Sequence, residues 1–168
     1  AAEIAVLAKK AFDLGYKYEI DYKGCGQCAL GAIQDALGLR DDAVFKAATG
    51  LAGGVGLMGD CGCGAYLGGV MALSSFLGRT KDAFADPDKV RFKSFALARK
   101  LHERFLEEYG TVNCHAIHLN VFGRPFFLWD DDERVKFDQA GGHSTKCPQV
   151  VGLGAKWVVE LLAQEGLI

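Results

Sequence analysis

The sequence contains no uninterrupted apolar run of the roughly 18 to 20 residues that a membrane-spanning helix needs. Its longest apolar stretches are broken by Gly, Lys or Asp, so no membrane span is expected. It has no excess of cationic charge either. Nineteen Lys and Arg stand against 21 Asp and Glu, for a net charge of -2. Without a basic run or face to neutralise several phosphates, nucleic acid is not an expected partner. Strand-like alternation of apolar and polar residues is missing, as are internal repeats and low-complexity segments. No nucleophile elbow, phosphate loop, metalloprotease helix or Cys-His-Asn order is present, so no substrate chemistry is visible. No Cys-x-x-Cys-His occurs, because Ala29 follows Cys28, and this excludes covalent haem attachment.

What remains is a chain of 168 residues, half of them apolar. That is enough to bury one proper core, so a single domain over residues 1–168 is expected. The first residue is Ala1, and the small pair Ala1-Ala2 fits the remnant of a cleaved export signal as well as it fits a trimmed chain. The compartment is thus open between cytoplasm and periplasm.

Apolar residues at spacings of three and four recur in Ile4, Leu7, Ala8, Ala11, Phe12 and Leu14, in Leu30, Ile33, Ala36 and Leu37, and from Val90 to Leu106, the pattern of amphipathic helices. Two stretches, Ala65 to Leu77 and Val150 to Leu162, are apolar nearly all round, as central helices of a bundle are. Asp86 reads as an N-cap and Pro87 as the first residue of a helix that runs to Tyr109 and is closed by Gly110. From Asn120 to Lys146 the periodicity fails, and a long ordered loop is expected. Its Phe122, Phe126, Phe127, Leu128 and Trp129 cover the core, and its acidic run Asp130 to Glu133 forms a solvated surface without the carboxylate spacing of a calcium loop. The expected fold is all-α, a single compact domain of about six helices with Gly-rich and aromatic loops.

Six cysteines, Cys25, Cys28, Cys61, Cys63, Cys114 and Cys147, need a chemical explanation, since a core of this size folds without disulfides. In an exported chain three disulfides are the ordinary reading. In a reducing compartment metal binding or catalysis is. Several stand at predicted helix starts. Cys28 opens Ala29 to Leu37, Cys63 opens Gly64 to Leu77, Cys147 precedes Pro148, and Cys114 opens a short segment. Unpaired N–H groups and the positive end of the dipole at such starts stabilise a thiolate or an anionic sulfide cluster. Glycine crowds around Cys61 and Cys63 from Gly50 to Gly69, which lets backbone amides reach bridging sulfides.

Other readings of these residues fit less well. Gly54-Val55-Gly56-Leu57-Met58-Gly59 matches the dinucleotide fingerprint formally, but no strand precedes it, and Cys61 and Cys63 interrupt the helix that should follow. A zinc ribbon wants a second Cys-x-x-Cys, whereas the other close pair is Cys61-Gly62-Cys63. A thioredoxin-like use of Cys25-Gly26-Gln27-Cys28 wants a strand-helix-strand unit that is absent. An iron–sulfur cluster fits best. A thiol–disulfide oxidoreductase or redox sensor cycling close pairs such as Cys25 with Cys28, and a structural zinc protein, stand as alternatives.

The segments Cys63-Gly64-Ala65-Tyr66-Leu67-Gly68, Gln27-Cys28-Ala29-Leu30 and Cys147-Pro148-Gln149-Val150-Val151, with Cys114 after the long amphipathic helix, resemble the C_GCAxxG_C_C family of redox-active proteins, from about residue 24 to about residue 162. The resemblance implies a centre on Cys28, Cys63, Cys114 and Cys147, a 2Fe–2S or 4Fe–4S cluster. Through the iron–sulfur domain of split-Soret cytochromes c it also implies electron transfer with a redox partner protein, and a homodimer. An electron carrier is expected rather than an enzyme that transforms a substrate. Cys25 and Cys61 go beyond the family's four, as alternative ligands, a nearby disulfide, or ligands of a larger cluster. His115 and His118 flank Ala116-Ile117 beside Cys114. A structural role is expected for them, with a bond to a cluster sulfide or replacement of a thiolate as the functional option. His143, four residues before Cys147, is a candidate neighbour of the centre. His102 is expected to face solvent.

Overall fold

The 3.6-residue stripes fold as helices throughout, and the computed structural model, which describes residues 1–168, contains no strand. The elements are α1 (Ala2–Asp21), α2 (Cys25–Leu37), α3 (Asp42–Ala47), α4 (Gly64–Leu77), α5 (Val90–Tyr109), α6 (Cys114–Phe122), α7 (Asp131–Gln139) and α8 (Cys147–Gln164). These make eight helices in one compact domain, where the sequence pattern suggests about six. No helix is long and apolar enough to cross a membrane.

The two extra helices are α3 and α7, and neither carries an apolar stripe. No residue of α3 is buried and only Phe137 of α7 is, so hydrophobic periodicity does not reveal them. Both are set by their starts. The Asp41 side chain accepts from the Val44 N–H and the Asp130 side chain from the Glu133 N–H, each satisfying an otherwise unpaired amide. The acidic run 130–133 is thus a cap and first turn, where negative charge meets the positive end of the helix dipole. The expected loop over 120–146 is correspondingly interrupted by α7 and by a π-type turn, Gly142–Lys146.

The start of α5 also differs from expectation. The helix begins at Val90 with Lys89 as its cap residue. Asp86 reaches it from a turn earlier, accepting from the N–H groups of Val90 and Arg91 and from the Arg91 guanidinium. Gly110 closes the far end at φ +72, as the pattern predicts.

The core is organised on α8, whose Val151, Val158, Val159 and Leu162 are fully buried. Helix α1 lies along it at a crossing of two glycines. A Cβ on Gly15 would come 3.1 Å from Val151 O, and one on Gly152 would meet the Phe12 ring at 2.9 Å. Helices α4 and α5 close the other side, with Leu73, Leu101 and Phe105 buried and Phe105 edge-on to Trp157 at 5.2 Å. His102 is half-buried rather than solvent-facing, its ring 6.0 Å from that of Tyr66.

Helices α2 and α4 touch backbone to backbone. A Cβ on Gly68 would stand 2.3 Å from Gly26 O, and one on Gly64 2.3 Å from Cys25 Sγ and 2.7 Å from Gly26 N. Gly64 and Gly68, one turn apart, therefore act as a contact face, and this crossing brings the N-terminal ends of both helices to one place.

Candidate functional site: a thiol cavity at four helix starts

Four cysteines at the starts of four helices line one cavity. Cys25 is the first residue of α2, Cys63 the residue before α4, Cys114 the first of α6 and Cys147 the first of α8. All four face a cavity of about 60 Å³, together with Glu19, His118, His143 and apolar residues that include Leu57, Ile117 and Val151. One water needs ~10–15 Å³, so the space exceeds a single solvent molecule.

Local structure explains the convergence. Gly62 and Asn113 form an isolated antiparallel bridge, in which the Cys63 N–H donates to Val112 O at 2.7 Å and the Cys114 N–H to Cys61 O at 2.9 Å. This clamps the start of α4 to the start of α6. Neither α2 nor α4 has a side-chain cap, so their first-turn amides are left available at the cavity.

The glycine-rich loop closes the cavity by a turn of opposite hand. Gly53, Gly54, Val55, Gly56 and Leu57 all have φ between +60 and +76, a conformation that costs an L-residue roughly 1–2 kcal/mol at each non-glycine position. The turn is tied down by the Trp129 indole, which donates to Gly56 O at 2.7 Å, and it aims the Gly53 N–H at Cys25 Sγ, 3.4 Å away. Gly59 is sterically required as well, because a Cβ there would lie 1.9 Å from the His115 ring.

Cys114 has a defined donor. The Phe126 N–H donates to His118 Nδ1 at 3.2 Å, which puts the proton of the neutral ring on Nε2, 3.7 Å from Cys114 Sγ. Burial, with a small contribution from His115, lowers the His118 pKa to about 4, so the ring is a neutral N–H donor to sulfur. His115 instead bonds Phe126 O at 3.1 Å. His143 lines the cavity with its Nδ1 2.6 Å from Asp138. Phe122, Phe126 and Phe137 surround His118. The aromatic segment therefore covers the cavity more than the main core, with Phe126 and Leu128 buried and Phe127 and Trp129 exposed.

The remaining cysteines lie outside the cavity lining. Cys28, from the same turn of α2 as Cys25, is buried but turned away, along a separate groove with Lys23 and Asp35. Its one S–H has two acceptors in reach, Lys23 O at 3.1 Å and the Glu19 carboxylate. Cys61 is exposed. None of the six is in a disulfide. Cys25 has Cys63, not Cys28, within hydrogen-bonding reach.

Burial holds the Cys114 and Cys147 thiols protonated. It raises Cys147 well above the usual thiol value and Cys114 to about 12. Cys25 is raised by the bond to Cys63 and by burial. Glu19, which sequence reasoning missed, is 3 % exposed. Burial lifts its carboxyl to about 7 against the opposing pull of the Cys28 thiol and Lys23. It continues the buried stripe Ala8, Ala11, Gly15 of α1 by one more step of four, which is the signal that reveals it.

No three Cys, His, Asp or Glu side chains form a group spaced for a single metal ion, and the four thiols are spread around the cavity wall. Among known proteins, residues 24–161 match the family described as Putative redox-active protein (C_GCAxxG_C_C). No curated protein and no solved structure matches the chain.

Proposed function

The chain belongs to the C_GCAxxG_C_C family of redox-active proteins, and from that premise we propose that the thiol cavity holds an iron–sulfur cluster and that the protein carries electrons. The observation that carries this reading is the meeting of Cys25, Cys63, Cys114 and Cys147, from four separate helix starts, at one cavity. A bound cluster supplies one-electron chemistry. Cys25, Cys63, Cys114 and Cys147 would hold it as thiolates, with the Gly53 amide donating to Cys25 Sγ, the His118 Nε2–H to Cys114 Sγ, and Leu57, Leu128 and Phe137 excluding water. The four thiols would give up their protons on binding it.

Cys28, Cys63, Cys114 and Cys147 are the four cysteines that match the family motif, and the cavity lining has Cys25 in place of Cys28. We assign the α2 ligand to Cys25, with Cys28 held back by Lys23 O and Glu19. Protein purified without oxygen should be brown, with iron and acid-labile sulfide in comparable amounts and a visible band that bleaches on reduction. Cys25→Ser should lose the chromophore and Cys28→Ser should keep it. The reverse result would move the ligand to Cys28 and leave the cluster reading intact. Colourless protein with stoichiometric zinc would overturn that reading.

A second reading rests on the Cys25–Cys63 approach. These two thiols could form a disulfide, releasing two protons and passing two electrons to an acceptor disulfide. Metal-free protein with a reversible Cys25–Cys63 bond, mapped by peptide analysis, would favour it.

A further inference from the structure

Glu19 is a buried carboxylate in a site otherwise built from sulfur and apolar side chains. It is 3 % exposed, forms no ion pair within reach, and its Oε2 has no hydrogen-bond partner at all. The donor that bonds it is the Cys28 thiol, whose S–H is shared with Lys23 O. Buried polar atoms are paired in the great majority of cases, and an orphan keeps the full cost of its desolvation. A purely structural role does not account for this one, because α1 packs on α8 through its small residues Ala8, Ala11 and Gly15, and an apolar residue would continue that stripe at no such cost. The carboxylate instead faces the cavity that Cys25, Cys63, Cys114 and Cys147 line. It lies before the residues that match the family, so nothing in that match assigns it a role.

We propose that Glu19 is a ligand of the inorganic centre, its free oxygen bound to one iron, so that the site is a mixed sulfur and oxygen donor set with one iron unlike the others. The inference rests on the iron–sulfur reading. A carboxylate is a hard donor that suits iron in its more oxidised state, whereas thiolates suit the soft cluster as a whole. The iron–oxygen bond forms in place of the carboxyl proton, with no change in oxidation state. Position supports it, since Glu19 comes from α1, a cavity-lining helix that contributes no cysteine.

The test compares wild type with Glu19→Gln and Glu19→Asp, expressed with iron-57 and purified without oxygen. Wild type should show one iron subsite distinct from the rest in its Mössbauer spectrum. In Glu19→Gln that subsite should vanish, or one iron should be lost to a chelator roughly tenfold faster or more, with the sulfide content retained. Glu19→Asp should keep part of the distinct signal if Gln fails to fold. Identical spectra and identical iron release in wild type and the folded variants overturn the assignment while leaving the cluster in place. Wild type without iron and sulfide overturns both.

Discussion

The two ends of this bundle are built by different rules. At the closed end, Leu73, Leu97, Leu101, Val158 and Leu162 interlock with almost no exposure, and the polar pair that does occur there, Ser74 with Ser94, is satisfied at 2.8 Å. At the open end the same helices carry uncapped first turns, a left-handed turn with Val55 and Leu57 in it, protonated thiols and a carboxylate oxygen without a partner. The buried thiols and the unpaired oxygen gather at one end, and the close-packed other end can offset their cost. The contrast is one between stability and chemistry, and it can be probed from either side.

The largest effect is expected from Leu101→Ala. Leu101 is fully buried and touches Gly69 across α4, so the cavity left behind should cost about 2–5 kcal/mol, read as a lower urea midpoint. Iron bound per folded chain should stay at the wild-type level. A parallel loss of both would show that the two ends are not separable. Gly68→Ala is the mirror image. Its Cβ would press on Gly26 O and force α2 and α4 apart, at about 1–3 kcal/mol, and the separation should fall on Cys25 and Cys63. This variant should lose most of its iron while still unfolding cooperatively. Retention of full iron content would contradict the role given to the helix crossing.

The smallest effect concerns acid. Burial alone would raise the Asp86 carboxyl, but the N–H and guanidinium of Arg91 and the N–H of Val90 together hold it below its ordinary value. A carboxyl depressed in the folded state contributes stability that is present above its unfolded value of about 3.9 and is lost as pH falls below that. Unfolding followed at pH 7 and pH 3 should show a larger drop for wild type than for Asp86→Asn. Equal drops would mean that the α5 cap is not what acid removes. The chromophore should not respond to this substitution, since Asp86 lies outside the cavity lining.

Helices α1, α2 and α5 are legible in the sequence because each buries a stripe that a period of 3.6 exposes, and α4 and α8 because they are apolar nearly all round. Helices α3 and α7 are not, since their order comes from single aspartate caps, although Asp41 and Asp130 are visible as cap residues once a helix is suspected. The link between cysteines and helix starts can likewise be read directly. Which face of α2 meets the cavity cannot, because it depends on how Gly26 of α2 seats against Gly64 and Gly68 of α4. Periodicity leaves Cys25 and Cys28 equivalent, and the crossing separates them. The pairing of Cys25 with Cys63 depends on the same long-range contact.

The wall of the cavity is gathered from positions 19, 25, 63, 114 and 147, and α8, which brings the last of these, is also the helix against which α1 is seated. A ribosome working at roughly 5–20 residues per second needs on the order of ten seconds to pass from the first of these positions to the last. Throughout that interval the early thiols have no cavity to enter and α1 lacks its largest partner. On the iron–sulfur reading, insertion of the cluster is therefore an event of the finished chain, and the nascent protein depends on its surroundings to keep five thiols reduced and apart until the sixth arrives.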